Sequence, residues 1–218
     1  MTFDPADLHP PRLVALIGFD GVQSLDLIGP MEVFAIANSA LPEGQPPYRV
    51  ILASAAGGEI VSNAGLRMAG MTAVADLPEG LDTVVVAGGG LDGLVREIND
   101  TALVAWLQAR APVTRRVASV CSGAFVLAAA GFLDGRRATT HWNSCDLLAQ
   151  FRPAVTVESD AIFVAEPPFY TSAGVTAGVD LCLALVEDDC GAATALAVAR
   201  HLVLFMRRPG GQSQFSPG

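Results

Sequence analysis

One stretch narrows the possible folds more than any other: RVASVCSGAFVLAAAGFLDG, from Arg116 to Gly135. Val117 to Val120 is short, apolar and partly β-branched, the pattern of a buried strand. Directly after it the period changes. Ala124, Leu127, Ala128 and Gly131 recur at helical spacing, and Gly131 or Gly135 supplies the stop. Cys121 therefore falls on the hinge between strand and helix, with Ser122 and Gly123 opening the helix. Small neighbours permit the sharp backbone turn of a nucleophile elbow, built here on Cys instead of Ser. The free N–H groups of the helix start are expected to favour a thiolate. A buried Cys acting as a small hydrophobe fits the same local pattern.

The rest of the chain alternates strands and helices around that hinge. Apolar runs predict strands at Leu13–Phe19, Tyr48–Ala53 and Leu81–Ala87, and shorter ones at Arg137–Thr139, Val155–Val157, Ile162–Ala165 and Phe169–Thr171. Gly57-Gly58 introduces a hairpin of Glu59–Ser62 with Arg67–Ala69. Helical spacing predicts helices within 25–40, at Asp100–Arg110, Asn143–Phe151 and Thr176–Val186, and at Ala192–Met206. Main strands that are apolar throughout imply an α/β protein with a mostly parallel sheet covered on both faces. With no internal repeat, residues 1–218 form a single domain in this reading, with a flexible lead-in at 1–12 and a linker-like tail at 207–218.

In an open sheet of this kind, reactive groups gather beyond the carboxyl ends of the strands. Asp26, Gly88-Gly89, Cys121 and His141 each closely follow a predicted strand. Asp26 can hydrogen-bond the thiol or relay a proton, or simply place a charge in a first helical turn. Backbone N–H groups at Gly88 and Gly89 can form an oxyanion pocket, and a plain strand-to-helix turn explains the same glycines. His141 fits a catalytic or a structural, hydrogen-bonded histidine. Gly88, Gly90 and Gly93 match GxGxxG, but the match does not follow the first strand and no acid stands about 20 residues on. No phosphate loop is present, and three widely spaced histidines without a His/Cys cluster predict no metal and no cofactor.

A formal charge of −9 makes this chain by itself a poor nucleic-acid binder. The apolar run Gly123–Leu133 is too short to cross a bilayer, so no membrane is expected as partner. Residues 1–12 carry Asp4, Asp7 and three prolines, unlike a signal peptide. Cysteines 121, 145, 182 and 190 show no CxxC spacing, which points to the cytoplasm.

Four blocks resemble the ThiJ/PfpI superfamily, which has the class I glutamine amidotransferase-like fold: LDLIGP at 25–30, AGGG at 87–90, SVCSGAFVLAAAGFLDGRRATTHW at 119–142 and TSAGVTAGVDLCLALVE at 171–187. The resemblance implies a flavodoxin-like three-layer sandwich with Cys121 reactive on a strained elbow. It further implies that Asp26 is the acid bonded to the sulfur, Gly89 the oxyanion-loop glycine, with Gly88 and Ser122 beside it, and His141 the nearby histidine. Ala87 departs from the proline usual before the glycine pair. Ser122 departs from the His of the protease-like branch, which argues against a Cys-His peptidase dyad.

Two branches fit best. The amidase-like N-terminal domain of AraC-type transcriptional regulators is similar through the tail AVARHLVLFMRRPGGQSQFS, which those proteins place before a helix-turn-helix. That implies a small-molecule sensor, homodimeric, touching DNA only through a C-terminal helix-turn-helix absent from this chain. The alternative is a stand-alone cysteine enzyme, either intracellular amidase/protease-like or isocyanide hydratase-like, the latter similar in its Asp26, its small hydroxyl residue after Cys121 and its ATTHW block.

Overall fold

The computed structural model describes residues 10–41, 47–99, 101–206 and 210–215. The predicted start of a helix at Asp100 and most of the lead-in lie outside these residues. Strands β1 (Arg12–Ile17), β2 (Tyr48–Ser54), β3 (Gly58–Val61), β4 (Arg67–Ala73), β5 (Thr83–Val86) and β6 (Arg116–Val120) form one sheet with two later strands. A short pair, β7 (Arg137–Ala138) and β8 (Thr156–Val157), stands apart, and β9 (Phe163–Glu166) and β10 (Phe169–Ser172) complete the main sheet. Its order is β3-β4-β2-β1-β5-β6-β10-β9, parallel except where β3 meets β4 and β9 meets β10.

Helices α1 (Ser24–Ser39), α2 (Leu91–Asn99), α3 (Thr101–Arg110), α4 (Ala124–Ala129), α5 (Cys145–Phe151) and α6 (Ala177–His201) cover it. Successive residues of β1 point to opposite faces. Val14 and Leu16 therefore pack with Phe34, Leu181 and Leu185 of α1 and α6, while Ala15 and Ile17 pack with Leu103, Leu107 and Leu127 of α3 and α4. Burial on both sides is why the central strands carry no alternating polar residues.

Two elements differ from the sequence reading. The glycine loop after β5 runs straight into α2, which the glycine triplet obscured. Leu91, Leu94, Val95 and Ile98 hold the helical spacing that marks it. The two closing helices abut in one element, α6, with the break at Gly191 (φ 83°, ψ 163°), and helical structure stops at His201, short of Met206. The strand order turns back between β1 and β5, which opens a crevice at the carboxyl ends of the central strands.

Candidate active site

Cys121 stands in that crevice at the end of β6. Its φ of 55° is left-handed, a conformation that strains any residue with a side chain. Surrounding contacts hold it there. A side chain on Gly123 would come within 2.3 Å of the Val86 carbonyl, so the turn fits only glycine. A Cβ on Gly174 would lie 2.8 Å from the Cys121 sulfur, and one on Gly88 would lie 2.7 Å from the Cys121 Cβ. The Thr140 hydroxyl donates to the Cys121 carbonyl at 2.9 Å and fixes the far side of the elbow.

Asp26, in the first turn of α1, is fully buried. Its Oδ2 accepts the Gly88 N–H and its Oδ1 the Val175 N–H, each at 3.0 Å, and the carboxyl also bonds the Cys121 thiol. Val175 has φ 51°, unusual for a β-branched residue, and its bond to Asp26 helps to hold it. Burial drives the Asp26 carboxyl up to about 6, against the pull of the two N–H donors. Burial also pushes the Cys121 thiol up to about 12, with the Asp26 charge adding to it, while the Ser122 N–H and hydroxyl work the other way. The expected thiolate-favouring helix start is outweighed: a 3-10 turn at Cys121–Gly123 precedes the six-residue α4, and burial dominates.

The glycine loop differs from a vacant oxyanion pocket. The Gly88 N–H is taken by Asp26, and the Gly89 N–H donates to Ser122 Oγ at 2.9 Å. Ser122 Oγ returns a bond to the Gly89 carbonyl at 3.1 Å, so Ser122 ties the loop to the elbow through its side chain. His141 shares the cavity with Cys121 but does not bond it. Its Nδ1 pairs with Asn143 Oδ1 at 2.7 Å and its ring lies 5.2 Å from that of Trp142.

The cavity over Cys121 measures about 350 Å³. Gln23, Asn63, His141 and Asn143 supply polar groups, and Leu91, Leu94, Phe125 and Leu147 an apolar wall. The structure thus brings Asp26, Gly88, Gly89, Cys121, Ser122 and His141 to one rim. The sequence reading did not include Thr140 or Val175. Thr140 stood in the quoted ATTHW block, where a buried threonine one residue before His141 was a usable signal. Nothing in the sequence marks the left-handed backbone of Val175. Among the described residues no three His, Cys, Asp or Glu side chains converge as metal ligands, and no helix is long and apolar enough to cross a membrane.

The proteins this chain is similar to include both an enzyme and a transcriptional regulator. The chain is 36% identical over 189 residues to an isonitrile hydratase of Pseudomonas putida, covering 87% of this chain and 77% of that one. It is 36% identical over 162 residues to the HTH-type transcriptional regulator CdhR of Pseudomonas aeruginosa, covering 74% of this chain but only 47% of the regulator, so it spans about half of that relative. A crystal structure of a ThiJ/PfpI family protein from Pseudomonas syringae superposes with a TM-score of 0.79 at 26% identity, over 96% of this chain and 83% of that one. The family model for the DJ-1/PfpI family matches residues 12–188, from β1 through the first part of α6. The chain belongs to the DJ-1/PfpI family.

Proposed function

We propose that this chain is the small-molecule-sensing domain of an AraC-type transcriptional regulator, with Cys121 as a reactive contact in the ligand cavity. The observation that carries this reading is the state of the loop donors: the N–H groups of Gly88 and Gly89 are both spent on internal bonds. An acyl-transfer enzyme aims such donors at the oxyanion of its transition state, so the pocket favours binding over amide cleavage. A sensor needs only different ligand affinities in two conformations. The similarity to one half of a regulator supports the same reading, and the acidic charge is compatible with a sensor domain whose DNA contacts lie elsewhere. The protein acts in the cytoplasm as a homodimer in this proposal. Light scattering is expected to give twice the 22.5 kDa chain mass, and a monomer would remove dimerisation from it.

The Asp26–Cys121 pair favours a second reading, isocyanide hydration, which needs no oxyanion pocket. The sulfur bonds the terminal isocyanide carbon and the thiol proton passes to that carbon, giving a thioimidate. Water then adds at the carbon, the C–S bond breaks, and the N-formamide leaves with the thiol restored. The deciding assay is formamide production from an alkyl isocyanide beside Cys121→Ala. The sensor reading expects no sustained turnover, and Cys121-dependent turnover of about 1 s⁻¹ or faster would overturn it.

A further inference from the structure

The tail, read from sequence as linker-like, is docked at one point. Gln212 is 2% exposed, while Gly210 and Ser213 on either side are exposed. Its side-chain amide is within donating distance of Thr139 Oγ1 at 3.0 Å, the Thr140 carbonyl at 3.0 Å and the Ala161 carbonyl at 2.9 Å. Asp160 holds the same segment from outside. Its carbonyl accepts the Gln212 N–H at 2.9 Å and its Oδ1 the Ser213 N–H at 2.7 Å.

Thr140 is the link inward. Its carbonyl takes the Gln212 amide while its hydroxyl holds the Cys121 carbonyl in the strained elbow. Gln212 also walls a cavity of about 160 Å³ that shares His141 and Val175 with the Cys121 cavity. Building on the sensor reading, we infer that Gln212 is a positioning residue for Cys121, acting through Thr140, so that the state of the cysteine and the docking of the C-terminal segment are coupled. Undocking takes the amide donor from the Thr140 and Ala161 carbonyls and leaves them to the longer bonds of the Thr139 hydroxyl, at 3.4 and 3.3 Å, which gives the docked state a discrete alternative. Coupling between two such sites is reciprocal, so each end reports on the other.

The experiment uses iodoacetamide as the probe and needs no regulatory ligand. Gln212→Ala and Asp160→Ala are made, the second altering only an exposed side chain. Both are expected to speed amide exchange at residues 212 and 213 about tenfold and to change the Cys121 alkylation rate about threefold. In the reverse direction, carbamidomethylation of Cys121 in the unsubstituted chain is expected to change exchange at the same two amides by about threefold. Tail release in either variant with the Cys121 rate and its pH profile held within about 1.5-fold overturns the inference, as does alkylation that leaves both amides unchanged. Isocyanide turnover, which decides between sensor and hydratase, does not enter these readouts.

Discussion

Asp26 and Cys121 titrate as a pair, and the pair sets the chemistry of the site. With Asp26 at about 6 and Cys121 at about 12, the two hold one proton and one negative charge across the neutral range. Within that range the small fraction with its proton on Asp26 and its charge on sulfur does not vary with pH. Alkylation of Cys121 should therefore rise as pH climbs through about 6 and then level off. In Asp26→Asn the plateau should vanish, and the rate should climb about tenfold per pH unit until the thiol itself ionises. That ionisation falls below about 12, because the carboxylate charge that raised it is gone. Mass-spectrometric site mapping across pH checks both profiles. Cys145 and Cys182 are buried while Cys121 lines the open cavity, so Cys121 should react before either; first modification at Cys145, Cys182 or Cys190 would refute the assignment.

At the scale of elements, Gly191 joins the two halves of α6 in a backbone region open almost only to glycine. A Cβ there meets no atom, so Gly191→Ala tests strain alone and should destabilise by about 1–3 kcal/mol in urea unfolding, with no loss at the Cys121 cavity. The sequence reading separated two helices at Val186 and Ala192, a gap that brackets Gly191, and it showed the elbow because small residues flank a cysteine between two periods. The buried strands were legible for the same reason: Thr83–Val86 and Arg116–Val120 lie between helices and can be apolar on both sides. What stayed hidden is long-range. Gln212 sits among Gly, Ser and Pro and looks like linker until Ala161 and the Thr139–Thr140 pair are placed beside it. Ser122 Oγ capturing the Gly89 N–H joins residues that no local pattern connects.

For the whole molecule, the far end of the sheet carries a second charged centre. The Asp189 side chain is 1% exposed and accepts from Arg115 and Arg116 at 2.8 Å and from the Tyr48 hydroxyl at 2.9 Å. Burial opposes its charge, but bonds from Arg116 and Arg115 prevail and hold its carboxyl below the ordinary carboxylate range. A depressed folded pKa contributes stability above the unfolded value that is lost as pH falls, so Asp189 weakens the fold below about pH 4. Cys121 works at the other limit. Its pKa is raised from 9.0 to about 12, so the unfolded thiolate gains on the fold as pH rises through that interval. Asp26, raised from 3.8 to about 6, removes some stability as pH rises between those values and blunts the acid limb. Melting temperature against pH should accordingly fall at both ends. Asp189→Asn should cost about 1–3 kcal/mol near neutrality, because Arg116 loses its buried partner and keeps its bond to the exposed Asp188, and Cys121→Ser should flatten the alkaline limb. A flat profile in the unsubstituted chain would contradict this account.

The two backbone N–H bonds that Asp26 accepts span 62 and 149 residues of chain. The bond from the Val175 N–H cannot form until the chain has been made through β10, which ends at Ser172, and has reached Val175. A chain still emerging from the ribosome carries Cys121 as an ordinary thiol near 9.0, exposed to any oxidant it meets. Only the finished domain retunes it. The sulfur is therefore a clock for maturation: its reactivity changes when Val175 closes on Asp26, and pulse-labelling during synthesis would read that moment directly.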